Sequence, residues 1–296
     1  MNYSDLLRNE STVLSMVERV ADLRRRLRRE GIEIVPLKGL DLVLRAYPFA
    51  GLRPMGDVDL LVRPHHLPRI GQLLERHGYT RRPDVHLSCI SRDRALRLDI
   101  RSSIWFLPST APIWNRLVSV DYQGEEWRLL NPEDSLLYRV AHAAMQRQRL
   151  VPILAQDLRV LLWKCGSRID WEAWCRRVRK LGLAVWVRHA LDYAVGRGVD
   201  SIPPLVLHRL RPIDDWERRL QRWVRSRVTE QPRAGTDYRL VWLAHPGFRP
   251  RLRFLRETFL PSPEEYEMRF GGSGNYVANL LRRSVRIAAR TLGIGL

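Results

Sequence analysis

Residues 35–62 read VPLKGLDLVLRAYPFAGLRPMGDVDLLV, and the rest of the chain is organised around them. An apolar run ends in Lys38-Gly39, a helix-like segment covers Leu40 to Tyr47, and a Pro/Gly-rich loop carries Arg53. Asp57-Val58-Asp59 then runs into Leu60-Leu61-Val62. Side chains alternate along a strand, so Asp57 and Asp59 face the same way. Two carboxylates side by side repel, and a divalent cation is the usual remedy. A glycine turn before a helix N-terminus offers backbone N–H groups to phosphate. Together these features point to phosphoryl or nucleotidyl transfer.

With 296 residues and 45% hydrophobic content, the chain is long enough to bury a large core in one or two domains. No apolar run approaches the length of a membrane span, and the start, MNYSDLLRNE, lacks the look of a signal peptide. Cys89, Cys165 and Cys175 form no C-x-x-C pair, which fits a reducing cytoplasm and argues against a zinc site. The net charge of +19 is almost all arginine, with lysine only at 38, 164 and 180. Such a bias follows from GC-rich coding as readily as from an acidic partner. In this setting a lysine in the key turn implies that a compact ammonium is wanted there.

Periodicity predicts a helix over 3–30, ending in the basic run Arg24–Arg29 and stopped by Gly31. Strands are expected over 32–37, 58–62, 84–91 and 95–101, a helix over 66–77, and a hairpin over 121–128 around Gly124. From Asn131-Pro132 the pattern turns helical: 132–146, 152–165, 171–181, 183–196, 203–209 and 214–227. A basic, Pro/Gly-interrupted stretch follows over 229–251. Then come a short helix over 262–270, a Gly271–Gly274 joint and a basic amphipathic helix over 275–292. That last helix is read as packing on the helical half in preference to lying on lipid.

Lys38-Gly39, Arg53 and the Asp57/Asp59 pair resemble the core motif of the DNA polymerase β-like nucleotidyltransferase superfamily, and most closely its uncharacterised bacterial nucleotidyltransferase family. Leu98-Asp99-Ile100-Arg101 falls where the superfamily carries its third carboxylate strand. Pro132-Glu133, His142, Asp157-Leu158 and Ile169–Glu172 resemble that family's helical half. The sequence departs from the pattern twice. Gly39 is followed by Leu40 where the wider superfamily has serine, and Arg101 stands where the family usually has histidine.

The resemblance implies an α+β architecture: a polymerase β-like nucleotidyltransferase domain with a mixed sheet over 1–128, then a mainly helical substrate-binding domain over 129–296, with the active site in the cleft between them. It implies transfer of a nucleoside monophosphate, most simply AMP from ATP, to a hydroxyl of an unknown acceptor. Asp57, Asp59 and Asp99 would be catalytic and would bind two Mg²⁺ ions, which sit ~3.5–4 Å apart in such sites. Lys38 and Gly39 would hold the triphosphate. Arg53 either contacts phosphate or pairs with Asp57, and Arg101 either holds an anion or neutralises Asp99. Because the carboxylates repel, neutralising Asp59 is expected to leave stability unchanged or slightly raised.

Several residues have plainer readings that weigh more. His142, Gln146 and Asp157 read as helix–helix hydrogen bonding, His65-His66 as a loop start, and Trp163, Trp171, Trp174 and Trp186 mainly as core. Two other functions stay open: a catalytically weak nucleotide- or anion-binding protein, and a nucleic-acid-modifying enzyme. The latter is less favoured because no RNA-binding motif is present.

Overall fold

The computed structural model describes residues 2–82 and 87–231, with short stretches between 242 and 285. The expected features over 229–251, 262–270, 271–274 and 275–292 lie wholly or largely outside the described residues. The chain divides into two compact units, with the break between Asn131 and Pro132.

The first unit opens with α1 (Tyr3–Arg29), capped by Asn2, whose side chain accepts from the Asp5 amide while Asp5 reaches back to the Asn2 amide. It continues through β1 (Ile34–Pro36), α2 (Lys38–Arg45), β2 (Val58–Val62), α3 (Leu67–Arg76), β3 (Tyr79–Arg82), β4 (Leu87–Ser91), β5 (Arg97–Arg101), α4 (Ala111–Trp114), β6 (Val118–Tyr122) and β7 (Glu125–Leu129). Five strands form one mixed sheet in the order β1-β2-β5-β4-β3. The β2–β5 pair is parallel and the others are antiparallel. The mixed sheet and the helical region that follows match the α+β class that the resemblance implied.

One sheet face makes the core. Val58, Leu60 and Val62 of β2, Leu98 and Ile100 of β5, and Leu87 and Cys89 of β4 pack with Val13, Val17, Val20 and Leu27 of α1 and with Ile70 and Leu74 of α3. Alternation therefore sends Asp59 of β2 and Arg97, Asp99 and Arg101 of β5 to the opposite face. The loop before β2 is tied to α1 at Gly51, whose amide donates to a Glu10 carboxylate oxygen. A Cβ at Gly51 would lie 2.6 Å from the Leu6 carbonyl oxygen, so only glycine allows this approach.

Some boundaries differ from expectation. The second helix begins at Lys38, not Leu40, because the chain passes from strand to helix through a left-handed Lys38 (φ 51) with no separate glycine turn. Strand β3 was not expected; two arginines in four residues mask its signal, and it is tolerated because it sits at a sheet edge. The hairpin is longer than expected, and Gln123 and Gly124 both carry positive φ, as a type I′ turn requires. The basic run of α1 is engaged within the unit. Arg24 donates to Glu125 and lies over the Trp127 ring at 4.3 Å, and Arg25 pairs with Glu125 and Asp22.

The second unit contains α5 (Pro132–Ala141), α6 (Pro152–Cys165), α7 (Trp171–Lys180), α8 (Ala184–Val195), α9 (Pro204–Arg209) and α10 (Asp215–Arg227). Asp170 and Asp214 cap α7 and α10 through their side chains. The helix expected over 132–146 changes pitch: His142–Arg147 winds as a π-helical turn, ended by a left-handed Gln148 (φ 49). Trp174 and Trp186 are core residues, whereas Trp163 is 76% exposed. Cys89, Cys165 and Cys175 are free and buried. No helix among the described residues is long and apolar enough to cross a membrane.

Candidate active site

Register builds the site. Asp59 and Asp99 stand directly beside each other on the parallel strands β2 and β5, and partners in register point to the same face. Asp57 lies one residue before β2, half-buried. Burial pushes its carboxyl up from the usual carboxylate range, and the negative charges of Asp59 and Asp99 add to the push; Lys38 and Arg97 partly oppose it. Three carboxylates separated by up to 42 positions in the chain are thus close enough for their charges to interact.

The chain supplies cations to the same face. The Lys38 ammonium lies 2.5 Å from Asp59 Oδ1, and the Arg101 guanidinium donates to that same oxygen at 2.7 Å. Arg101 stands opposite Leu61, so its side chain crosses one diagonal of the ladder to reach Asp59. Arg97 Nε lies 3.6 Å from Asp99 Oδ1. Three cations therefore face three carboxylates. The repulsion that seemed to call for a divalent ion is relieved at Asp59 by ammonium and guanidinium.

These positions revise several expectations. Arg101 binds Asp59, across the strand pair, where Asp99 had been considered as its partner. Lys38 points at Asp59, not at an open phosphate turn. Gly39 does allow a close approach, but the approaching group is Met55: a Cβ on Gly39 would lie 2.6 Å from its sulfur and 3.7 Å from Arg53 Cζ. Arg53 donates to the Pro54 carbonyl oxygen at 2.7 Å. Burial lowers its guanidinium pKa, while the nearby Tyr47 and Asp57 oppose that shift.

Three partners escaped the sequence reading. Ser88 donates to Asp99 Oδ1 at 2.8 Å, because Ser88 and Asp99 are in register on β4 and β5. Arg97 was legible in principle, two residues before Asp99 on the same strand face. Met55 carried no signal.

Asp157 is fully buried on α6 in an ion pair with Arg139 of α5. The His142 ring lies 5.9 Å from the Tyr138 ring, tilted by 41°. The Gln146 side chain lies outside the described residues. The His65 and His66 rings lie 4.1 Å apart, tilted by 54°, just before α3.

Asp57 and Asp99 suit a divalent cation: both offer hard oxygen donors, and added positive charge would relieve the strain on the Asp57 carboxyl. Asp59 does not suit one, since two cations already converge on its Oδ1. Among the described residues, no group of three or more His, Cys, Asp or Glu side chains is arranged around a metal position.

A sheet face with acidic residues in register on two parallel strands thus lies beside a strand-to-helix turn. The chain belongs to the uncharacterised nucleotidyltransferase family, whose model matches residues 4–196. Among solved structures it is similar to an antigenic nucleotidyltransferase-like protein from Paracoccidioides brasiliensis, with 14% identity, a TM-score of 0.39, and coverage of 71% of this chain and 94% of that one. No curated protein matches the chain.

Proposed function

We propose that the chain transfers a nucleoside monophosphate, most simply AMP from ATP, to a hydroxyl of an acceptor, with release of pyrophosphate. The observation that carries this reading is the in-register pairing of Asp59 with Asp99 on parallel strands, with Asp57 beside them. Membership of a nucleotidyltransferase family supports it, as does the motif's likeness to the polymerase β-like superfamily. In this reading residues 1–128 carry the chemistry and 129–296 recognise the acceptor.

Asp57 and Asp99 would hold Mg²⁺, which, when bound, supplies positive charge to phosphate oxygens. Asp99, oriented by the Ser88 hydroxyl, takes the acceptor's proton. Asp59 fixes Lys38 and Arg101 and so sets the positive edge of the site. Phosphate reaches the Lys38–Gly39 turn once the Met55 thioether moves off Gly39, a displacement that an unbranched, flexible side chain permits. Arg53, at the same turn, then meets the triphosphate.

The test is pyrophosphate release from each of the four common NTPs with Mg²⁺ and a panel of hydroxyl-bearing acceptors, including peptides and the chain itself. Asp57→Asn is expected to lower turnover by ~10³-fold or more. A wild-type rate in that variant would remove the acidic face from the chemistry.

The cations seated on Asp59 favour a second reading, in which the chain binds nucleotide as an anion with little turnover. Tight nucleotide binding without Mg²⁺, together with no pyrophosphate release for any acceptor, would select it.

A further inference from the structure

Lys38 and Arg101 approach one oxygen of Asp59 from opposite neighbours, the first from the end of β1 and the second from β5. The three side chains are 12%, 4% and 5% exposed for Lys38, Arg101 and Asp59. Little water is left to screen their charges. A magnesium ion on that oxygen would sit ~2.0–2.1 Å away, pressed against two fixed cations.

The arrangement is built into the fold. Arg101 is held by the parallel register, two positions beyond the Asp59–Asp99 pair and on the same face. Lys38 reaches Asp59 from a left-handed backbone conformation that L residues avoid. The Leu37 amide is bonded to the Asp59 carbonyl oxygen at 2.9 Å, which fixes the approach of the Lys38 backbone.

We propose that Arg101, locked with Lys38 on Asp59, takes the place of one of the two cations that three converging carboxylates would otherwise collect, so that the site accepts its divalent ion at Asp57 and Asp99 alone. This deepens the nucleotidyl-transfer reading and rests on it. Arg101 is then a positioning residue that sets metal stoichiometry, and Asp59 is the anchor of an internal cation in place of a metal ligand.

The proposal is tested by Mn²⁺ binding to the full chain without nucleotide, followed by calorimetry and by electron paramagnetic resonance of the free ion. Wild type is expected to take one ion. Arg101→Met, which keeps bulk and loses charge, is expected to gain a second ion or to bind roughly tenfold tighter. Arg101→Lys should behave as wild type. Adding Asp59→Asn to Arg101→Met should remove the gain, because the released oxygen is the new ligand.

Thermal melts establish that each variant is folded, and Lys38→Met replaces Arg101→Met if the latter is not. Two ions in wild type would overturn the proposal on their own. So would equal stoichiometry and affinity in wild type and the charge-deleted variant, whatever the number of ions bound. Absence of pyrophosphate release would count against the proposed reaction and leave the Mn²⁺ comparison standing.

Discussion

Asp59 and Asp157 are both buried carboxylates paired with arginine, one on the sheet of the first unit and one between helices of the second. Asp157 is fully buried and pairs with Arg139, itself 8% exposed. Asp59 shares one oxygen between two cations, stands in register with Asp99, and is reached by a lysine with φ 51. A pair sealed in a helical core needs only to cancel its own desolvation cost. A crowd of charges with a strained backbone at the end of a strand costs stability, as is common where a protein handles a ligand. The contrast separates a structural ion pair from a candidate site.

The largest expected effect breaks the pairs themselves. Asp157→Asn removes the charge from one side of a buried ion pair and should cost ~3–5 kcal/mol in urea unfolding. Asp59→Asn should cost less, ~1–3 kcal/mol, because Lys38 and Arg101 can turn toward Asp57 and Asp99. This reverses the sequence-based expectation that neutralising Asp59 is harmless, since that expectation counted only the carboxylates. Equal losses at the two positions would erase the distinction.

A smaller effect sharpens the role of strain. Lys38→Ala and Lys38→Gly both delete the ammonium, but glycine accepts a left-handed backbone freely. Lys38→Gly should therefore be more stable than Lys38→Ala by ~1 kcal/mol. Identical urea midpoints would show that position 38 does not keep its positive φ in solution.

The smallest effect is one of pH. The Asp57 carboxyl is raised by burial and then by Asp59 and Asp99. A raised carboxyl keeps its proton more tightly in the folded state. Its unfavourable contribution therefore appears as pH climbs from the unfolded value through the folded one, and persists at neutral pH. Asp57→Asn removes it. Without divalent ions the variant should melt slightly higher at neutral pH, with the difference shrinking as pH falls below the ordinary carboxylate range. A lower melting temperature at neutral pH would instead make Asp57 a structural ion-pair partner.

The local code set much of the architecture. Alternation in Val58–Val62 determined which β2 residues enter the core and which face carries Asp59. Asn131-Pro132 marked the entry to the helical unit, and the periodicities of α1, α6, α7, α8 and α10 placed those helices within a few residues. These features are short-range: they follow from side-chain spacing and from which backbone angles proline and glycine accept. Tertiary structure alone decided who meets whom. That Asp59 lies beside Asp99 depends on a parallel register between strands about forty residues apart, and no local pattern encodes it. The same register sends Arg101 to Asp59 and Ser88 to Asp99, while loop packing puts Met55 over Gly39. The sequence by itself determined that acidic strands and a Lys-Gly turn would share one unit. The fold decided that lysine and arginine, and not carboxylates alone, would define the charge at its centre, because a buried carboxylate takes the nearest counter-charge that packing brings to it.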